Sequence, residues 1–263
     1  MRWIAAIVVV TALGATTSIA RADRDRHQPA YKVRLDRDLA AIAIAGTTTI
    51  GWFIDLGPAY CAPQCDPSRL DAIDKPFAGR WEPGWSTAGT ITAAGILLSA
   101  PIALFIAETP GHALTDTIVV GQSVAFAAAL AIVFETGVRR PRPFMYGDKA
   151  PLSEREDTNG SLSFYSGHTT LSFSASVALV DTLCRLHVAT KWRALAMVGV
   201  GAAAFVAASR VLAGDHFPTD VTAGALTGAG FGVLVPALHD RGVTVAPMAA
   251  ADGTFQLAAL GTF

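Results

Sequence analysis

Six apolar stretches, separated by more polar segments, follow one another along the chain. Each is close to the ~20 residues that an α-helix needs to cross a ~30 Å hydrocarbon core, although the first and fourth are at the short end. The stretches are 39–56, 86–107, 115–134, 169–184, 194–212 and 221–238. This pattern predicts an all-α fold, a bundle of about six apolar helices that span a membrane. A soluble helical bundle with an Ala-rich core is the alternative.

The N-terminal residues 1–22 have the pattern of a secretory signal peptide. Met1 and Arg2 precede an apolar run, and the small residues around Ala20 and Ala22 fit a cleavage site. A first membrane helix is the alternative, since signal peptides and short membrane spans share an apolar core. The mixed charges of residues 23–38 then predict a solvated linker.

The rest of the chain divides into a long helical domain and a short tail. The predicted helical domain covers residues 39–242. In the tail, residues 243–263, apolar and polar residues alternate on both sides of Asp252 and Gly253, which is typical of a β-hairpin. The tail therefore predicts a short C-terminal hairpin and carries no evident chemistry.

Composition favours a membrane location and excludes some partners. Hydrophobic residues make up 52% of the chain and charged residues only 16%, whereas about a quarter of a typical soluble domain is charged. The formal net charge of -1 argues against nucleic acid, because proteins that bind it usually carry a basic excess. Three cysteines without a Cys-x-x-Cys pair predict no structural metal, and no cofactor is expected.

Loop charge predicts an orientation. Arg185, Lys191 and Arg193 lie between the fourth and fifth stretches, so the positive-inside rule places that loop in the cytoplasm. The neighbouring loops then face outward, which predicts a cell membrane of bacterial type with an extracytoplasmic site; the periplasm is the alternative location. Cys61 and Cys65 fall in an outward loop, where a disulfide and two free thiols are both compatible with the sequence.

Three polar clusters interrupt the apolar background, all at predicted helix ends on the outward side. Residues 139–143, Arg-Arg-Pro-Arg-Pro, follow the third stretch, and arginine forks match phosphate oxygens. Residues 166–168, Ser-Gly-His, open the fourth helix, where free N–H groups attract an anion and a histidine can move a proton. Residues 209–220 add another arginine, a second histidine at position 216 and, four residues after it, the carboxylate of Asp220. We expect the clusters to form one anion site.

In order and spacing, these clusters resemble the three-part signature of the type 2 phosphatidic acid phosphatase and vanadium haloperoxidase superfamily. The resemblance covers residues 86–238, and the Gly-Asp-His-Phe-Pro-Thr-Asp segment at 214–220 is its most specific part. The matching residues are Arg142-Pro143, Ser166-Gly167-His168, and Ser209-Arg210 with His216 and Asp220.

The resemblance implies a helical phosphatase and a role for each matching polar residue. His216 would attack phosphorus and form a phosphohistidine, Asp220 would orient it, and His168 would protonate the leaving alkoxide. The phosphate oxygens would be held by Arg142, Arg210, Ser166 and the amide of Gly167. Because phosphoryl transfer needs mainly in-line positioning and stabilisation of negative charge, this set requires no metal.

Two positions depart from the family pattern. Glu135 stands where the first motif begins with a lysine, and Tyr165 stands where a proline is commonest. A carboxylate facing the site would repel phosphate, so we expect Glu135 to form an exposed ion pair with Arg139 one helical turn later. Arg139 or Arg140 would then replace the missing cation as an auxiliary member of the site.

The expected function is metal-independent hydrolysis of a phosphate monoester or diphosphate, with a phosphorylated lipid or a small phosphate ester as the substrate. Three other functions stay open at this stage. They are a soluble periplasmic acid phosphatase of broad range, a vanadate-dependent haloperoxidase, and a catalytically silent membrane scaffold in which Glu135 disables the pocket.

Overall fold

The computed structural model describes residues 29–240, 243–249 and 255–261. The described residues form seven α-helices and two antiparallel strands. The helices are α1 (Leu35–Thr47), α2 (Pro83–Ala107), α3 (Pro110–Val138), α4 (Leu152–Arg155), α5 (Gly167–Arg185), α6 (Thr190–Ala213) and α7 (Pro218–Asp240), and the strands are β1 (Val243–Ala249) and β2 (Phe255–Gly261). The strands pair with Val243 opposite Gly261. The predicted helical bundle is confirmed, whereas the predicted signal peptide lies outside the described residues.

Four of these helices, α2, α3, α6 and α7, are long and apolar enough to cross a membrane, within the ranges that the structure describes. The six predicted spans are therefore reduced to four. The first stretch forms only the 13-residue helix α1, which continues as a 3₁₀ helix over Thr48–Phe53. The fourth stretch forms the 19-residue helix α5, which is not one of these four helices.

Helix α5 is the central helix of the bundle and packs against α2, α3, α6 and α7. Its sequence is rich in serine and threonine, and Thr170, Ser172, Ser174 and Ser176 are all buried. The outer helices instead expose large apolar side chains such as Leu98. A polar helix at the centre and apolar helices around it are what a membrane bundle needs, because lipid contacts only the outer helices.

A stripe of three glycines on α7 lets this helix contact the backbone of α5. Gly224, Gly228 and Gly232 are four residues apart and therefore lie on one helix face. A Cβ on Gly228 would lie 2.2 Å from the carbonyl oxygen of Thr170, and the other two glycines are nearly as tightly covered. This close approach fixes the first turn of α5 beside the first turn of α7.

Gly228→Ala is expected to lower the free energy of unfolding by about 1 to 3 kcal/mol, because the added methyl group meets backbone that cannot rotate away. Gly230→Ala is the matched control, since nothing lies within 4 Å of its added Cβ. The control should be neutral or stabilising by up to ~1 kcal/mol, owing to the higher helix propensity of alanine. Thermal unfolding of both variants in detergent tests the stripe, and equal midpoints would contradict it.

Helix α1 begins inside the segment that the sequence predicted to be a solvated linker. Asp38 in its first turn is fully buried, and its Oδ1 lies 3.2 Å from Nε2 of His239 in the last turn of α7. Ahead of α1, the hydroxyl of Tyr31 bonds to Asp181 and Thr182 near the end of α5. These contacts attach the N-terminal segment to the end of the bundle opposite the first turn of α7.

The connection between α1 and α2 covers the other end of the bundle. Cys61 and Cys65 form a disulfide there, which decides between the two states that the sequence left open. The amide of Cys65 donates to the carbonyl of Met145, and the amide of Gly79 donates to that of Pro143. The connection is therefore fastened to the chain that follows α3, where the first polar cluster lies.

Candidate active site

The three polar clusters meet at one end of the bundle. Helix α3 ends where Arg139 adopts a left-handed conformation with φ 51°, and Arg142 follows in extended backbone. The first turn of α5 contributes His168, and the connection from α6 to α7 contributes His216. In that connection Gly214 has φ 85°, and a Cβ there would lie within 2 Å of the carbonyl of Arg80, so only glycine fits the turn.

A cavity of about 310 Å³ opens at this end. Two arginines and a histidine from the predicted set line it, together with two carboxylates. Its lining residues are Trp81, Pro83, Ser86, Arg142, Phe144, Glu154, Asn159, His168, Arg210 and Asp215. The cavity thus holds members of all three clusters, as the sequence predicted.

Arg142 is buried and held in a fixed orientation by neighbouring oxygens. Its Nε and Nη2 donate to the backbone carbonyl and side-chain oxygen of Asn159, at 2.7 Å and 2.8 Å. Its Nη1 donates to the carbonyl of Asp215 at 3.2 Å and lies 3.5 Å from Nε2 of His216. The guanidinium therefore stands directly beside the predicted nucleophile.

Arg210 also lines this cavity. Its Nη1 donates to the carbonyl and hydroxyl oxygens of Ser86 and reaches the hydroxyl of Thr90 at 3.4 Å. Its Nη2 lies 2.6 Å from the carboxylate of Asp215, so an ion pair with a neighbouring residue occupies this side of the guanidinium.

His216 is buried and oriented by one strong hydrogen bond. Its Nδ1 lies 2.7 Å from the carbonyl oxygen of Ser163. A carbonyl oxygen only accepts, so Nδ1 carries the proton and Nε2 keeps a free lone pair. This is the tautomer that a nucleophile at Nε2 requires. Burial, followed by the charges of Arg142 and Arg210, lowers the pKa of His216 well below its usual value, so the ring is neutral near pH 7.

Asp220 does not touch His216 as the family pattern implies. Its Oδ2 accepts from the Ser163 hydroxyl at 2.6 Å and from the amide of Phe217 at 2.8 Å, while its Oδ1 accepts from Arg140 at 2.5 Å. Because Ser163 also supplies the carbonyl that binds His216, the carboxylate and the imidazole are connected through this serine rather than directly.

His168 lies in the first turn of α5 with its Nε2 3.2 Å from the hydroxyl of Thr90. Burial, and then the charges of Arg210 and Arg142, lower the pKa of His168 to about 4. Without a bound anion, His168 is therefore neutral at pH 7. Binding of an anion would offset the two arginines and raise this pKa, which is what a proton donor to a phosphate ester requires.

Ser166 and Gly167 lie at the start of α5, both buried, and are not among the residues that line the described cavity. The Oγ of Ser166 caps the helix by accepting from the amide of Thr169, and it also accepts from the hydroxyl of that residue at 3.0 Å. The described contacts of Ser166 are therefore those of a helix cap.

The predicted auxiliary residues lie around the site rather than in the cavity wall. Arg139 donates to the carbonyls of Gly57 and Pro58, and Arg140 bonds to Asp220 and to the connection between α1 and α2. Glu135 is buried, with only 5% of its surface exposed. The prediction that this carboxylate is exposed, in an ion pair with Arg139, is therefore wrong about its exposure. The charge of Glu135 acts on Arg210, which places this carboxylate within electrostatic range of the site.

Comparison with known proteins shows that part of the chain is similar to one family. The PAP2 superfamily model matches residues 116–243. That match confirms the resemblance that the three motifs carried. Two curated relatives, both named decaprenylphosphoryl-5-phosphoribose phosphatase, come from the CDC 1551 / Oshkosh and ATCC 25618 / H37Rv strains of Mycobacterium tuberculosis. Each is 33% identical over 120 residues, which make up 46% of this chain and 59% of the relative. No solved structure matches the chain significantly.

Several residues that shape the candidate site were not predicted from the sequence. Thr90 and Ser86 contact His168 and Arg210 from α2, and Asn159 holds Arg142. Ser86 and Thr90 precede the matched segment. They lie in α2, whose sequence pattern predicts only an apolar membrane-spanning helix. Asn159 and Ser163 lie in a long irregular segment whose composition has no diagnostic feature, so only the folded chain brings them to the motifs.

Inorganic sulfate is expected to raise the thermal unfolding midpoint more at pH 5 than at pH 8. Without a bound anion the pKa of His168 is about 4, so this imidazole is mostly neutral at pH 5. A bound dianion raises this pKa, so sulfate binding takes up a proton and strengthens as pH falls. Thermal unfolding with sulfate or chloride at matched ionic strength measures the effect, and equal increments at both pH values would contradict it.

The same pKa shifts set the sign of the stability change without sulfate. Unfolded histidine binds a proton below about pH 6.5. The folded site does so at His168 only near pH 4. The unfolded state therefore holds more protons between these values, and the free energy of unfolding falls as the pH drops from about 6.5 to 4. Sulfate should reverse part of this loss.

Proposed function

We propose that the protein is a membrane-embedded phosphatase that hydrolyses a phosphate monoester or diphosphate of a lipid on the extracytoplasmic side. The observation that carries the proposal is the tautomer and position of His216. Its unprotonated Nε2 lies beside Arg142, in a site that also holds Arg210 and His168. Two guanidinium groups, a nucleophilic nitrogen and a potential proton donor are the parts that metal-free phosphoryl transfer requires.

In this proposal Nε2 of His216 attacks phosphorus as the bond from phosphorus to the ester oxygen breaks. The departing alkoxide takes a proton from His168, whose pKa the bound phosphate has raised. Water then attacks the phosphohistidine, giving up a proton to His168, and inorganic phosphate leaves with His216 restored. Arg142 and Arg210 stabilise the charge on the equatorial oxygens in both steps.

Two observations support a lipid substrate. The helices around the site expose large apolar side chains, including Ile91 on α2 and Phe205 on α6, which suits a lipid-facing surface. In addition, the names of the two relatives describe a decaprenylphosphoryl substrate. We therefore place a polyprenyl-linked phosphate first among the substrates to be tested.

The proposed side of the membrane rests on chemistry at the two ends of the bundle. The site end carries the Cys61–Cys65 disulfide, and disulfides persist mainly in oxidising compartments. At the other end, where α5 leads into α6, Arg185 ends α5 and Lys191 lies in the first turn of α6, and such cations favour the cytoplasm. Both observations support an active site outside the cytoplasm.

A substrate panel with purified protein tests the proposal. It contains a polyprenyl phosphate, a polyprenyl diphosphate, a phosphatidic acid and p-nitrophenyl phosphate, each assayed with and without a chelator and with orthovanadate. We expect release of phosphate from at least one lipid, resistance to the chelator, and inhibition by vanadate, which mimics the trigonal transition state when bonded to His216. Activity lost in chelator and restored by a divalent ion would reject the metal-independent mechanism.

A further inference from the structure

We propose that Asp74 is a positioning residue for His216, because it neutralises Arg140 and so leaves the negative charge of Asp220 available to the imidazole. This inference rests on the proposed function. Asp74 belongs to the connection between α1 and α2, outside the segment 116–243 that matches the PAP2 superfamily, and no part of the three motifs contains it.

Asp74 is fully buried, and donors surround its carboxylate. Its Oδ2 lies 2.7 Å from Nη2 of Arg140 and accepts the hydroxyl of Thr219 at 2.5 Å, while its Oδ1 accepts the amide of Thr219 at 3.2 Å. Arg140 is therefore held between two buried carboxylates, because its Nη1 bonds to Asp220. Its guanidinium also lies 4.5 Å from the centre of the Phe217 ring, next to His216 in the chain.

The net charge of Asp74, Arg140 and Asp220 determines the electrostatic effect that these three residues have on the nucleophile. Arg140 alone would cancel the charge of Asp220, and the pair would be neutral. Asp74 supplies a second negative charge on the far side of the guanidinium, so the three residues together carry a formal charge of about -1 at neutral pH. Asp74 thus restores the charge that Arg140 removes.

The hydroxyl of Ser163 connects this charge to the nucleophile. It donates to Asp220, and the carbonyl of the same residue accepts from Nδ1 of His216. Phosphorylation of Nε2 makes the ring cationic while Arg142 and Arg210 already disfavour a positive charge there. A net negative group behind Nδ1 therefore stabilises the phosphorylated ring more than the free one, which lowers the barrier to attack.

The principal test replaces Asp74 with asparagine. Asparagine keeps the size of the side chain and an oxygen that accepts from Thr219, but it removes the charge. We expect kcat on the best lipid of the panel to fall by about tenfold or more with KM changed less than about threefold, since the loss concerns the transition state. Asp66→Asn is the matched control, because Asp66 is a carboxylate of the same connection that bonds only to Ser68 in the described contacts; it should retain wild-type kcat.

A charge-restoring double variant separates electrostatics from simple structural support. Arg140→Gln added to Asp74→Asn removes the cation that Asp74 neutralised, so Asp220 regains its charge. We expect the double variant to recover kcat to within about threefold of wild type, a non-additive result that a purely structural role would not give. A double variant less active than Asp74→Asn alone would overturn the inference.

Ser163→Ala provides an independent test if the Asp74 variants fail to fold. It removes the hydroxyl that joins Asp220 to Ser163 and keeps the carbonyl that orients His216, so kcat should again fall by about tenfold with little change in KM. An unchanged kcat in folded Ser163→Ala or Asp74→Asn would overturn the inference while the proposed function stands. Failure of the wild type on the whole panel would overturn the proposed function and this inference with it.

Discussion

His216→Ala is expected to keep the fold and to lose turnover by about four orders of magnitude or more, because the substitution removes the atom that bonds to phosphorus. His168→Ala should slow the reaction by about 10²- to 10⁴-fold on lipid phosphates, whose alkoxide leaving groups need a proton. The same variant should be much less impaired on p-nitrophenyl phosphate, since nitrophenolate departs without protonation. The measurement is kcat for both variants on both substrates.

Trapping the covalent intermediate adds a direct control for the His216 assignment. Acid-labile phosphate on the protein should form in the wild type with p-nitrophenyl phosphate and be absent from His216→Ala. Thermal unfolding of the variants shows whether the fold is retained. Comparable turnover by His216→Ala and wild type on any substrate would refute the assignment of the nucleophile.

Arg142→Ala should lower kcat/KM by about 10²- to 10³-fold, because one of the two guanidinium groups that stabilise the transition state is lost. Arg139→Ala is its matched control from the same motif, since the Arg139 guanidinium contacts the carbonyls of Gly57 and Pro58 instead of the cavity. The control should retain most of the activity. Comparable losses in both variants would mean that the motif acts through general positive charge rather than through the position of Arg142.

The sequence was sufficient to predict that charged and titratable residues from three separate segments lie together at one end of the bundle. Arg142, His168 and Arg210 line one cavity, and His216 lies beside it, because each stands at the end of a long helix and these ends lie on one side of the bundle. Helix length and connection order make such a meeting predictable, since antiparallel helices of similar length bring alternate ends together.

The arrangement of the helices was harder to predict. The pattern of residues 169–184 shows a moderately apolar helix but does not reveal whether its serines face lipid or other helices. Only packing places α5 at the centre, where these serines are buried. The same limit applies to Arg139 and Arg140, because the left-handed turn at Arg139 directs neighbouring side chains in different directions. Adjacent arginines in a sequence therefore have different partners in the fold.

The contacts that Asp74 makes with Arg140, and Ser163 with Asp220, could not be predicted from the sequence. Asp74 and Arg140 are separated by 66 positions, and Ser163 and Asp220 by 57. No pattern in the sequence indicates that the members of either pair are in contact. A buried carboxylate in a polar connection looks the same in sequence as an exposed one. Its role becomes evident only when burial and donors are known.

The ion pair between Asp215 and Arg210 has a consequence for the way ligands exchange in the cavity. The carboxylate is tethered five residues from the guanidinium, at an effective concentration far above that of any free anion. An anion that binds the Nη2 side of Arg210 must replace this internal competitor, so part of its binding energy is spent on the exchange. The cost applies to inorganic phosphate as much as to the substrate, and a returning Asp215 carboxylate would help to expel the product and shorten its residence in the site.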